Sequence, residues 1–486
     1  MKNAIKRISL FLFFSVSCSA QVTSLDLPDI GDSTGTILSP EFERRLGQAF
    51  LNQIRRQVDI ISDPEVEAYI RSIGYRLVSH SDNNTQSFTF FVINDPMINA
   101  FAAPGGIIGI NSGTIINTES ESELAGVVAH EIAHVTQKHM ARSVEMQQQM
   151  SIPLMAAMLG AILIATQNPE AGQAAIAAVQ GGALQAQINF TRNNEMEADR
   201  VGMQLLARSG LNPRGMPSFF EKLHRNSRYA GNAPEFLRTH PLANNRIADT
   251  RSRAENYPAD HSYEESRLYE YVRAKLIVMN HKNAADAVEH FEDQLRSDKI
   301  KDNLSVLRYG AAQAHMEAGN FARARQYLDA LLEREPENTS FLLARADLEA
   351  RQGNYNRAIE LYEKMERLYP DYRPLVFSYA ETLLNARKPE RARELLKSYG
   401  KFNDPDLRYY NYLARAEAEA GNPVESAIAN AEYYYLTGET RVAMEQLRYI
   451  LRQPPKPDYY QEERIRARLA FLEQELQISK DMNLVK

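Results

Sequence analysis

Small residues recur every 34 positions through the second half of this 486-residue chain. Ala312, Ala346, Ala380 and Ala414 form one column, and Ala324, Ala358 and Ala392 another. Gly319, Gly353, Arg387 and Gly421 form a third, with Pro336 and Pro370 in a fourth. A helix–turn–helix unit of this length cannot bury its apolar face alone, so its copies must stack into a solenoid. Alanine at fixed contacts lets paired helices approach closely, and Gly-Asn at 319–320 and 353–354 makes the turn within a pair. The period is that of tetratricopeptide repeats. At 387–389 the turn reads Arg-Lys-Pro, so that copy is degenerate. A weaker unit at 268–298 and helical pairs from about 424 to 477 extend the array, giving a repeat domain at 265–480. Solenoids of this kind present a concave surface to peptides or proteins. Tyr409, Tyr410, Tyr412 and Tyr433 to Tyr435 read mostly as packing between helices.

The first half carries a different signal, His130-Glu131-Ile132-Ala133-His134. Two histidines four apart project from one face of a helix. A Glu directly after the first can hold a water at a metal that both imidazoles bind, with the metal as Lewis acid and Glu131 as general base. Apolar residues recur at helical spacing around the motif, so the helix is mostly buried, and buried imidazoles need partners for their polar atoms. Ser120 with Glu123 reads as a capping box at its start, with Thr118 and Glu121 as a second candidate. His139 is five residues past His134, out of register for another ligand. Such a centre needs a third protein ligand. Glu195 and Asp199 are again four apart on one helical face. Glu195 is the candidate ligand, and Asp199 the candidate acceptor for the second ring N–H of a ligand histidine. Glu197 points elsewhere and reads as solvated.

The HEIAH string, Glu195-Met196-Glu197-Ala198-Asp199 and the upstream Asn99-Ala100-Phe101-Ala102-Ala103-Pro104-Gly105-Gly106 together resemble the CAAX prenyl protease/HtpX-like family of zinc metallopeptidases, over about residues 40–255. The resemblance implies one zinc ion held by His130, His134 and Glu195, with Glu131 as the base. In related peptidases a His or Tyr donates to the oxyanion. His240, in Thr239-His240-Pro241-Leu242, is the candidate for that role; alternatively it occupies the open zinc position and holds the enzyme off. In the family, the Asn99–Gly106 segment leads into an edge strand over the catalytic helix. Ile107-Ile108-Gly109-Ile110 is the stretch to which a peptide substrate would add as an extra strand.

Residues 1–20 read as an export signal, with Lys2, Lys6 and Arg7 before a short apolar core. That core is too short to span a bilayer. Its removal leaves 56 less 3 basic residues against 62 acidic ones, a formal charge of −9, which disfavours nucleic acid as a partner. It also removes the single cysteine. Residues 21–38 read as a flexible lead-in. Helical patterns near 40–57 and 64–79, a strand at 87–93 and short strands between Phe101 and Ile116 make 39–260 an α+β peptidase domain, mostly helical with a small sheet. Within it, the apolar run from Ile152 to Ala165 and the Ala-rich stretch to Ile188 form an insertion at about 150–188. It reads as a helical hairpin that covers the active site or makes peripheral contact with a membrane. The expected fold is an α+β zinc metallopeptidase domain followed by an all-α tetratricopeptide-repeat solenoid.

Similarity to exported, repeat-bearing members of the family implies a periplasmic protein of a Gram-negative cell, soluble or peripherally attached to a membrane. It implies an endopeptidase acting in assembly and quality control of outer-membrane beta-barrel proteins. The implied partners are unfolded or misassembled outer-membrane proteins and the barrel assembly machinery. The competing expectation is a chaperone or assembly factor whose peptidase site is largely autoinhibited.

Overall fold

The computed structural model describes residues 39–82, 87–147, 169–229, 235–242, 244–258, 263, 265–297 and 303–481. The export signal, the lead-in and the apolar run from Ile152 to Ala165 lie outside the described residues.

Two capped helices open the peptidase part. Ser39 caps α1 (Pro40–Gln57) through the Phe42 amide. Asp63 caps α2 (Pro64–Val78) by accepting from the Glu65 and Val66 amides, with proline in the first turn of each helix. Val66, Ile70, Ile73 and Leu77 of α2 recur at helical spacing and are buried in the core. Three strands follow: β1 (Thr89–Ile93), β2 (Ala100–Ala103) and β3 (Ile107–Asn111). Their order is β1-β3-β2, with β3 parallel to β1 and antiparallel to β2. The stretch from Ile107 to Ile110 is therefore not the edge strand expected for it. It is central and buried along its whole length, and β2 takes the edge. Gly109 serves the interior rather than a ligand: a Cβ there would lie 2.6 Å from the Phe101 ring and 3.0 Å from that of Phe91. Nor does strand continue to Ile116, because Ser112–Asn117 coils into the short helix α3.

Helix α4 (Glu121–Thr136) carries the HEIAH segment. Ser120 is its cap, accepting from the Glu123 amide at 3.1 Å, while Thr118 instead donates to the Ile115 carbonyl. The Glu123 carboxylate reaches back to the Glu119 amide at 2.7 Å, one residue before the cap. Residues 139–147 are helical, and α5 (Pro169–Arg208) is one helix of 40 residues. The Ala-rich stretch expected to close a hairpin at Ile188 thus runs unbroken into Glu195 and Asp199. Helices α6 (Gly215–Tyr229), α7 (Phe236–Thr239) and α8 (Asn244–Glu255) complete this part.

The second half is helical pairs: α9 (Arg267–Asn280) with α10 (Ala284–Arg296), α11 (Leu304–Glu317) with α12 (Phe321–Leu332), α13 (Thr339–Arg351) with α14 (Tyr355–Leu368), α15 (Arg373–Asn385) with α16 (Pro389–Tyr399), α17 (Leu407–Glu419) with α18 (Pro423–Leu436), and α19 (Thr440–Arg452) with α20 (Tyr459–Asp481). Ala312, Ala346, Ala380 and Ala414 are all buried between helices. Gly319, Gly353 and Gly421 turn at φ of 74°, 77° and 78°, and Arg387 adopts the same left-handed conformation at 58°. Tyr409 is buried, and Tyr410 and Tyr412 pack against the neighbouring core.

The first helices of five successive pairs converge on the start of α2. Lys275 of α9 bridges Asp63 (2.8 Å) and Glu65 (3.0 Å). Tyr309 of α11 and Ser340 of α13 donate to the two oxygens of Glu65. Arg373 of α15 and Arg408 of α17 face Glu67 at 3.6 and 2.8 Å. At the far end of the array, Arg45 of α1 makes a paired bond to Glu475 of α20 at 2.8 and 2.9 Å. Part of the repeat surface expected to hold a partner is therefore occupied by the chain's own peptidase part. Among the described residues, no helix is long and apolar enough to cross a membrane.

Candidate metal centre

One helical turn on α4 puts His130 and His134 side by side, and close packing of α5 brings Glu195 against them. Gly202 permits that approach, since a Cβ there would lie 3.2 Å from the Ala129 carbonyl carbon and the His130 amide nitrogen. The segment after α7 delivers His240, the residue that ends that helix.

Four donor atoms converge from these three elements. His130 Nε2 is 3.1 Å from His134 Nε2 and 3.3 Å from His240 Nδ1. Glu195 lies 3.4 Å from His130 Nε2, 3.4 Å from His134 Nε2 and 3.1 Å from His240 Nδ1. A tetrahedral ion with bonds of about 2.0–2.1 Å to nitrogen and oxygen has edges of about 3.3–3.4 Å between its ligands. The quoted separations, with Glu195 counted through both its oxygens, lie near that figure, and one donor atom from each of His130, His134, Glu195 and His240 falls within 4.8 Å of the others, so these residues form a group able to hold a metal ion.

The buried charges at the centre shift one another. Burial opposes protonation of His130, but Asp199 and Glu195 outweigh it and hold this imidazole up at about 10. Burial and neighbouring His130 push His134 well down. Burial would raise Glu195, yet His130 and His240 keep it far below the usual carboxylate range. Asp199 is likewise held down against burial, by Arg246 and His130. Its Oδ1 lies 3.0 Å from His130 Nδ1, although the ring N–H is not well aligned on it.

Glu131 differs from every other acid here. It is fully buried, and neither carboxylate oxygen has a hydrogen-bond partner in the protein. His240 Nε2 stands 3.4 Å from Oε1. Buried carboxylates are normally paired, so this one has acceptor capacity in reserve for a proton carried by something else.

Three neighbours escaped the reading of the sequence. His139 Nδ1 is 2.8 Å from His134 Nδ1, and its other nitrogen is 3.1 Å from Glu197. Glu197 also pairs with Arg142 at 2.8 Å, so it is not the solvated residue expected. His139 is no donor to the centre, but Lys138, at a φ of 53°, turns the chain so that it backs the His134 ring. The third is Arg246, 1% exposed, which binds both Asp199 oxygens at 2.7 Å. Its sequence signal is faint: a cation in the first turn of α8, where the helix dipole disfavours one unless an anion is near.

Comparison with known proteins agrees with this geometry. The profile of peptidase family M48 matches residues 64–254, and tetratricopeptide-repeat profiles match residues 309–373 and 349–416. The beta-barrel assembly-enhancing protease of Escherichia coli (strain K12) is 37% identical over 412 residues, 85% of this chain and 84% of that protein. This chain belongs to peptidase family M48. A putative beta-barrel assembly-enhancing protease of Vibrio cholerae is 38% identical over 432 residues, 88% of each chain. The mitochondrial metalloendopeptidase OMA1 of Arabidopsis thaliana is 32% identical over 161 residues, 33% of this chain and 30% of its own length. The M48 chain is thus a metallopeptidase joined to a tetratricopeptide-repeat array; the beta-barrel assembly-enhancing proteases match it over most of its length, and OMA1 over a third.

Proposed function

We propose that this protein is a zinc-dependent endopeptidase with His130, His134 and Glu195 as ligands and Glu131 as the base. The observation that carries the reading is a cluster of four donor side chains beside a buried carboxylate that has no hydrogen-bond partner in the protein. Two imidazoles and a carboxylate suit zinc, which when bound would act as a Lewis acid toward the scissile carbonyl and the attacking water. Glu131 takes the proton of the attacking water and passes it to the leaving amine. Asp199 orients the His130 ring through Nδ1, which turns Nε2 to the centre.

His240 occupies the fourth donor position in this reading. Nδ1 faces the ligands and Nε2 faces Glu131, so the place needed by water is taken. The other role, donation to the oxyanion, requires His240 to leave that position. A closed centre also favours a second function, a chaperone or assembly factor with a gated peptidase site. Complementation by Glu131→Gln favours the chaperone, and its failure favours proteolysis.

For the biological setting we infer a periplasmic protein of a Gram-negative cell, acting in assembly and quality control of outer-membrane beta-barrel proteins by degrading misassembled forms; relatives named beta-barrel assembly-enhancing protease support the link to barrel assembly. Its partners are unfolded or misassembled outer-membrane proteins and the barrel assembly machinery, with peripheral membrane contact through the insertion. The deciding experiment is the metal content of purified wild type and Glu195→Gln, with casein cleavage measured alongside. The expected result is one zinc per chain and cleavage in wild type, both lost in the variant. Zinc without cleavage turns the reading toward the gated chaperone, and wild type that takes up no zinc overturns it.

A further inference from the structure

We propose that Arg246 is the clasp that keeps His240 at the metal centre, a positioning residue that joins the His240 segment to the ligand-bearing helix α5. The inference rests on the reading of His240 as fourth donor. One guanidinium serves three groups at once. Nε and one Nη bind Asp199 at 2.7 Å each. The other Nη donates to the carbonyl of Pro241, the residue after His240, at 2.9 Å and lies 2.8 Å from Glu195 Oε2. Glu195 Oε2 thus lies between the clasp and His240 Nδ1, which is 3.3 Å from it and 3.1 Å from Oε1. The planar fork of arginine can span these partners, whereas a lysine ammonium is a point donor that cannot.

The His240 segment needs such a hold. Helix α7 is four residues long, Arg238, Thr239 and Pro241 are exposed, and only Phe236 and His240 of residues 236–241 are buried. A single turn does not sustain itself. Its other attachments are Phe236, buried in the core with its ring centre 6.0 Å from that of Phe219, the packing of Leu237 and Leu242 on the same core, and one bond from the Phe236 amide to the Ile98 carbonyl at 3.2 Å; none of these reaches His240 itself, whose ring stacks on Phe236. Arg246 is fixed independently of that turn, by Asp199 and by the Phe220 ring 5.1 Å beneath it.

The test uses full-length protein loaded with cobalt(II), whose visible absorption reports the donors present. Wild type, Arg246→Lys, His240→Ala and the double variant are compared, with circular dichroism as the check on folding. Arg246→Lys should shift the band in the same direction as His240→Ala. Each should release cobalt to a chelator about 10–100-fold faster than wild type, the range expected when support behind a ligand is lost. The double variant should release it no faster than His240→Ala. An unshifted band in Arg246→Lys beside a shifted one in His240→Ala overturns the clasp and leaves the donor reading intact. Multiplying effects in the double variant overturn it as well. An unshifted band in His240→Ala overturns the donor reading and the clasp with it. Should Arg246→Lys not fold, Phe220→Leu, which removes only the ring under the guanidinium, should give a smaller shift in the same direction; no shift there counts against the clasp.

Discussion

Two of the clusters of buried charge among the described residues differ in what is left unpaired. At the start of α2, every carboxylate oxygen of Asp63 and Glu65 has a donor: two backbone amides, Lys275, Tyr309 and Ser340. Burial would depress Lys275, yet Asp63 and Glu65 hold it well above the usual lysine value. At the candidate metal centre, nitrogens and carboxylates crowd together, and neither oxygen of Glu131 has a hydrogen-bond partner, His240 Nε2 standing 3.4 Å from Oε1. The first cluster has settled all its partners within the chain and serves to lock the two halves together. The second leaves valence for something outside the chain. Buried charge alone does not distinguish a working site from a structural joint; what sets this one apart is a buried carboxylate with neither oxygen hydrogen-bonded, beside a cluster of metal-ligating side chains.

The widest separation between the two should come from neutralising one glutamate in each. Glu131→Gln should cut casein cleavage by about 10²–10⁴-fold, the usual share of a general base. Its metal content and unfolding midpoint should stay at wild-type values or above, because no internal bond is lost. Glu65→Gln should do the reverse, lowering the midpoint while leaving turnover per folded molecule near wild type. Equal loss of stability in both variants would abolish the contrast.

Lys275→Met tests the joint itself. It removes the cation from between two buried carboxylates and should cost about 3–5 kcal/mol at neutral pH, read from urea unfolding. The pH dependence has a definite sign. Burial raises Asp63, but Lys275 outweighs it and holds the carboxyl below its ordinary value. Its contribution is therefore present above the unfolded carboxylate value of about 3.9 and lost as pH falls through the lower folded one. Without Lys275 burial wins and the same carboxyl is raised, so the variant's deficit should shrink as the pH is lowered toward 4. A deficit that does not change with pH would mean that Lys275 acts by packing.

A smaller effect should come from behind the ligands. His139→Ala removes the imidazole that backs His134 and should weaken metal binding by about 10–100-fold, measured by competition with a chelator. Unchanged affinity would move His139 and Glu197 from the second cluster to the merely structural class.

The division between what was legible in the sequence and what was not follows the range of the contacts. HEIAH is local, since one turn of helix fixes the relation of His130 to His134. The solenoid was legible because each column repeats the same neighbour contact. Long-range placement was not. The exchange of edge and centre between β2 and β3 depends on how two aromatic rings fill the space over Gly109, which the short strands do not encode singly. Arg246 and Asp199 meet across 47 positions, and Glu197 finds His139 across 58. Read along the chain, Asp199 is the candidate partner of a ligand histidine, but Glu197 reads as solvated and Arg246 carries almost no signal; only the packing of α5 and α8 on α4 gives those two their partners.

One departure within the repeats sharpens the contrast further. Three of the four aligned turns use glycine at positive φ, and the fourth uses Arg387, whose side chain is exposed. A left-handed conformation costs a residue with a Cβ about 1–2 kcal/mol. Arg387→Gly removes that strain, while the greater freedom of glycine in the unfolded chain takes back about 0.5–1 kcal/mol. The net gain should be about 0.5–1 kcal/mol, seen as a rise in the unfolding midpoint with metal content and turnover unchanged. If stability falls instead, the Arg387 side chain contributes to the array, and the strained turn belongs with the features kept for a purpose, as Glu131 is.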